Sequence, residues 1–90
     1  MEAERSVRIP NAAGLHARPC HAIVTTARGF ESDLRVACGE REVNGKSILE
    51  LMTLSAPCEA VLSFRAHGRD AETLVTALAA LVEGGFGELG

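Results

Sequence analysis

Residues 11–19 read Asn-Ala-Ala-Gly-Leu-His-Ala-Arg-Pro. This run sets His16 between a glycine-bearing loop and a segment with helical spacing, with Arg18 two residues on and Pro19 three. An imidazole with a free lone pair is a nucleophile able to take up a phosphoryl group. A helix start supplies unpaired backbone N–H groups and the positive end of the macrodipole, a ready site for an anion. The Arg18 guanidinium adds a planar fork of donors suited to phosphate oxygens. The backbone N–H groups of Ala17 and Arg18 are further candidate donors, whereas Pro19 has none. Each such interaction is worth about 0.3–1 kcal/mol when exposed. That weakness suits a carrier, because the phosphoryl group must leave again.

Taken alone, His16 reads as a surface histidine that merely caps a helix. Gly14, Arg18 and Pro19 in register with it favour the phosphoryl chemistry. Gly14 itself is expected to serve backbone shape rather than chemistry.

The elements that must hold this run follow from hydrophobic spacing. Residues 5–9 alternate, with Val7 and Ile9 on one face, and predict a strand. Residues 10–15 form a loop. Over residues 16–28 apolar side chains recur at Cys20, Ile23, Val24 and Ala27, which is helical spacing. Pro19 is tolerated there because it falls in the first turn. Gly29 ends the helix.

Residues 32–38 alternate again, and Gly39-Glu40 turns the chain into a short strand near 41–43. Ser47 and Glu50 have the spacing of a capping box that opens a short helix reaching about residue 53. Residues 61–66 alternate as a further strand. Asp70 is expected to cap a last helix whose buried face is Leu74, Leu78, Leu81 and Val82, stopped by Gly84-Gly85. The order β-α-β-β-α-β-α predicts an α+β fold: one four-stranded antiparallel sheet with three helices packed on one face.

Composition narrows the function classes. Ninety residues suit one domain, spanning 1–90, with a small core. The net charge of −3 argues against a nucleic-acid partner, and three Phe with no Trp or Tyr offer no base-stacking platform. No apolar run reaches the ~20 residues of a membrane span, and the acidic N-terminus does not read as a signal peptide. A cytoplasmic location is the expectation. Cys20, Cys38 and Cys58 make an odd count without a Cys-x-x-Cys pair, so reduced and mostly buried thiols are expected. No metal site or cofactor is predicted. His16, Cys20 and His21 are the only close set of ligand types, and Cys20 falls on the apolar stripe. His21 and His67 are expected in solvent.

Gly14-Leu15-His16-Ala17-Arg18-Pro19 closely resembles the active-site loop of the HPr family. These are the histidine-containing phosphocarriers of the bacterial phosphoenolpyruvate:sugar phosphotransferase system. Downstream, Val43-Asn44-Gly45-Lys46-Ser47-Ile48 followed by Leu51-Met52 resembles that family's segment around a regulatory serine. The Gly-Phe-Gly-Glu run at 85–88 is also seen in some HPr-like chains. The two main motifs stand in order at the right separation, and the resemblance covers essentially the whole chain.

The resemblance implies an open-faced β-sandwich. It also implies that His16, at Nδ1, accepts a phosphoryl group from phosphorylated Enzyme I and donates it to a IIA-type acceptor. Such a protein is a monomeric covalent relay rather than a self-contained enzyme. In part of the family the serine matching Ser47 is phosphorylated by a bifunctional HPr kinase/phosphorylase. Here the Ser47–Glu50 box explains both residues without regulation, and the Glu50 carboxylate opposes a phosphate dianion beside it.

Ile48, Leu49, Leu51 and Met52 exceed what a short helix can bury, so some of them are expected to form an apolar docking patch for partners. Two departures from the family stand out. Cys20 replaces a small residue, and loop 55–60 lacks the glycines common there; neither is expected to touch the phosphoryl chemistry. Two other readings remain. One is a regulatory HPr-like protein of the nitrogen-related branch, acting by phosphorylation-dependent binding. The other is a protein-binding domain that is never phosphorylated.

Overall fold

The computed structural model describes residues 1–87. Glu88, the last residue of the Gly-Phe-Gly-Glu run, lies outside the described residues. In chain order the elements are β1 (Glu2–Arg8), α1 (Ala17–Ala27), β2 (Asp33–Cys38), β3 (Arg41–Asn44), α2 (Ile48–Met52), β4 (Val61–His67) and α3 (Ala71–Glu83). A tight turn at Gly85–Gly87 follows. The strands form one antiparallel sheet in the order β1-β4-β2-β3. The α+β open-faced sandwich expected from the spacing is the fold observed.

Register places the apolar residues in rows across one face. Val7 is opposite Leu62, Leu34 opposite Ala66, and Val36 lies between Phe64 and Val43. These side chains are buried against the helices. The other face is polar: Ser6 and Ser63 share a hydrogen bond, and Glu42 is paired with both Arg35 and Arg65. An antiparallel sheet tolerates one solvated face.

The α1 stripe packs as its spacing predicts, with Pro19, Cys20, Ile23, Val24 and Ala27 all buried. Burial pushes the Cys20 thiol up to about 11, because the apolar core disfavours a thiolate. Cys38 and Cys58 are only half-buried, contrary to the expectation of mostly buried thiols.

Three further expectations are corrected. β1 begins at Glu2 rather than at residue 5, because its backbone pairs with β4 as far as His67 despite a charged, exposed sequence. On α3 the core face is Leu74, Val75, Leu78, Ala79 and Val82, while Leu81 is only half-buried at its margin.

Asp70 occupies the N-cap position of α3 but makes no side-chain bond to that helix. Its carboxylate instead accepts from the backbone N–H groups of Glu31 and Ser32, both at 2.9 Å, and from the Ser32 hydroxyl at 2.5 Å. These donors, the Ser32 hydroxyl foremost, hold its pKa down at about 2. The α1–β2 connection is thus tied to the start of α3.

Candidate functional site

The loop that delivers His16 is built from its backbone outward. Asn11 is buried; its Nδ2 donates to the Gly14 carbonyl at 2.8 Å, and Gly14 N–H donates to the Asn11 carbonyl at 3.1 Å. Gly14 has φ +70. A Cβ there would lie 2.5 Å from the Ala56 carbonyl oxygen and 2.9 Å from Pro57 Cα. Both the conformation and the close approach therefore require glycine.

The next residue, Leu15, is buried and donates its N–H to the Ala56 carbonyl at 2.8 Å. Upstream, Ile9 N–H donates to Ala60 at 2.9 Å and Glu59 N–H donates to Ile9 at 2.8 Å. Loop 55–60 therefore braces the loop that carries His16. It touches the backbone of that loop at Gly14 and Leu15.

His16 is half-buried at the N-cap position of α1, with φ −111 and ψ −165. Its ring makes no cap bond to the helix, so capping does not explain the residue. Its carbonyl accepts from Cys20 N–H at 3.0 Å, the first bond of α1. The N–H groups of Ala17 and Arg18 thus open at the helix start. No acidic residue lies in this first turn, so nothing there opposes an anion.

Arg18 is exposed. It shares a groove with Ala17, His21, Ala22 and Phe86. Phe86 is a wall that sequence reasoning missed. Its only sequence signal was an aromatic residue between two glycines at the chain end.

Ser47 lies at the N-cap of α2, and its Oγ accepts from Glu50 N–H at 3.2 Å. The reciprocal half of the box is not formed as expected. Glu50 Oε1 accepts from Asn44 N–H at 3.0 Å, and Ser47 N–H donates to the Asn44 carbonyl at 3.2 Å. Glu50 thus ties α2 back to the end of β3. A Cβ at Gly45 would run into the Leu34 side chain, so the glycine of this motif lets the turn close onto β2.

Of the four apolar residues from which a docking patch is expected, Leu49 is 80% exposed and Met52 43%, while Ile48 is half-buried. Leu51 is fully buried and belongs to the core, which corrects its place in the patch. One side of a five-residue helix faces inward, and Leu51 takes it. His21 and His67 are exposed, as expected.

A small open-faced sandwich with a histidine at the start of its first helix defines a class of phosphoryl carrier domain. A family model for the phosphorylation site of the phosphotransferase-system HPr component matches residues 3–84. The chain belongs to the HPr family of phosphocarriers of the phosphotransferase system. It is 39% identical to the phosphocarrier protein HPr of Neisseria meningitidis, over 94% of this chain and 96% of that one. It is 32% identical to the phosphocarrier protein NPr of Shewanella violacea, over 94% and 93% of the two chains. The crystal structure of HPr-C-His from Thermoanaerobacter tengcongensis superposes with a TM-score of 0.92 at 39% identity, covering 98% of this chain and 99% of that one. Among the described residues no helix is long and apolar enough to cross a membrane.

Proposed function

We propose that His16 is the phosphoryl-carrying residue of this chain, loaded by phosphorylated Enzyme I and unloaded onto IIA-type acceptors. The observation that carries this reading is the half-exposed imidazole at the N-cap of α1, beside the open N–H groups of Ala17 and Arg18. A ring nitrogen of His16 attacks the phosphorus of the donor's phosphohistidine. One N–P bond forms as the donor's N–P bond breaks, and its electron pair returns to the donor imidazole. Nδ1 is the nitrogen that the family resemblance implies. The Arg18 guanidinium and the two backbone donors receive the phosphoryl oxygens as the group arrives. Leu49, Met52 and the exposed part of Ile48 are the apolar surface against which partners dock.

The test is incubation with Enzyme I and radiolabelled phosphoenolpyruvate. Wild type takes up acid-labile phosphate. His16→Ala takes up none, while its circular dichroism and melting temperature stay near wild type. Undiminished uptake by the variant overturns the assignment. No uptake by wild type points instead to a domain that only binds proteins. The relative named NPr supports a second reading, a carrier of the nitrogen-related branch. Faster loading by a nitrogen-branch Enzyme I than by the sugar-branch enzyme favours it.

A further inference from the structure

The turn at Gly85–Gly87 is not explained by phosphocarrier chemistry. Gly85, Phe86 and Gly87 have φ of 72, 60 and 79, three left-handed residues in a row. The two glycines meet no obstacle within 4 Å of an added Cβ, so they serve the backbone path alone. Phe86 has no such freedom, and a left-handed conformation is strained for an aromatic residue. Such a conformation persists only where the surroundings over-determine it. The ring is 8% exposed, and its burial offsets that cost. The turn thus seats a bulky, buried side chain in a conformation that its burial must hold.

What the fixed ring borders is the groove with Ala17 and Arg18 at the start of α1, next to His16. Arg18 is exposed, and a free arginine side chain samples many rotamers. His21, one turn on, lines the same groove, and helical side chains lean toward the N-terminus of their helix. Arg18 thus borders a groove that has the Phe86 ring as one wall. We infer that Phe86 is a positioning residue for Arg18: the left-handed turn after α3 holds the ring so that the guanidinium is presented toward the phosphoryl group on His16. This inference rests on the proposed role of His16 and Arg18.

The experiment is a double-mutant cycle on phosphoryl transfer from phosphorylated Enzyme I, using Phe86→Ala, Arg18→Ala and the pair, with a melt for each. Phe86→Leu keeps an apolar plug without the planar wall. The expected result is a loss on the order of tenfold in the maximal transfer rate for Phe86→Ala, with the half-saturating Enzyme I concentration little changed. In the Arg18→Ala background the same change costs less than about twofold. Phe86→Leu is expected between wild type and Phe86→Ala in rate, with a melting temperature near wild type. Equal losses from Phe86→Ala in both backgrounds overturn the inference, because a ring that only stabilises the fold is indifferent to Arg18. A rate for Phe86→Leu equal to wild type also overturns it. If Arg18→Ala alone leaves transfer unchanged, the reading of Arg18 fails instead, and the positioning role falls with it.

Discussion

The Leu15 amide donates to the Ala56 carbonyl at 2.8 Å, so the loop ending at His16 hangs on the loop that follows α2. The two residues are 41 apart in sequence, and backbone groups on both sides make the bond. The phosphoryl acceptor proposed at His16 must be placed closely without being rigidly boxed in. A backbone brace beneath the loop does this while leaving the imidazole half-exposed.

Gly14→Ala tests the brace. The added methyl would meet the Ala56 carbonyl oxygen at 2.5 Å, in a left-handed backbone at φ +70. A loss of roughly 1–3 kcal/mol of stability is expected from strain of this kind. Urea titration of the variant measures it, and transfer to His16 should fall alongside. Stability equal to wild type would show that the loop relaxes away from residues 56–57 at no cost.

Ser55 and Glu59 bracket the brace, with φ 50 and 75. Neither is glycine, so each carries left-handed strain of about 1–2 kcal/mol. Ser55→Gly and Glu59→Gly remove that strain but loosen the unfolded chain, which returns roughly 0.5–1 kcal/mol of the gain. Each variant should be more stable than wild type, by about 0.5–1 kcal/mol, read as an upward shift in the denaturation midpoint. A downward shift would mean that the Ser55 or Glu59 side chain supports the loop.

Asp70 makes stability depend on acid. Its folded pKa of about 2 lies below the ordinary value of 3.8. The depressed value means the folded state favours the carboxylate, so the stabilisation is fully present above about pH 4. It is lost as pH falls toward 2. Asp70→Asn should be less stable than wild type at pH 7 and show a shallower loss of stability between pH 4 and pH 2. Parallel curves for the two proteins over that window would remove Asp70 from the account.

Ser47 separates capping from docking. Ser47→Ala loses the oxygen that accepts from Glu50 N–H and should cost about 0.5–2 kcal/mol. Ser47→Asp keeps a good capping oxygen but sets a second carboxylate near Glu50, beside the exposed Leu49 and Met52. It should melt near wild type yet bind Enzyme I more weakly. Calorimetric titration of both variants decides, and wild-type affinity for Ser47→Asp would move the docking patch elsewhere.

Much was written locally. The α1 stripe at Cys20, Ile23, Val24 and Ala27, with Pro19 confined to the first turn, identifies a helix because the pattern repeats over three turns. The alternation of Leu34 with Val36, and of Leu62 with Phe64, identifies strands for the same reason. The run from Gly14 to Pro19 carries the proposed site because the chemistry proposed for it needs only residues close in sequence.

Other features required the tertiary structure. The first residues of β1 are charged apart from Ala3, too weak a pattern to read, and their strand exists because β4 lies beside them. α2 is too short for a stripe to show that Leu51 turns inward while Leu49 stays in solvent. The acidic side chains Asp70 and Glu50 each had a local partner by spacing and took another, at residues 31–32 and at Asn44. A single carboxylate satisfies whichever N–H groups folding brings to it, and spacing counts only those nearby. The contacts of Gly14 with Ala56 and Pro57, and the shared groove of Phe86 and Arg18, join segments dozens of residues apart. Local propensity determined the elements and set His16 at the start of one of them. How the sheet and helices close on one another decided what holds that residue in place.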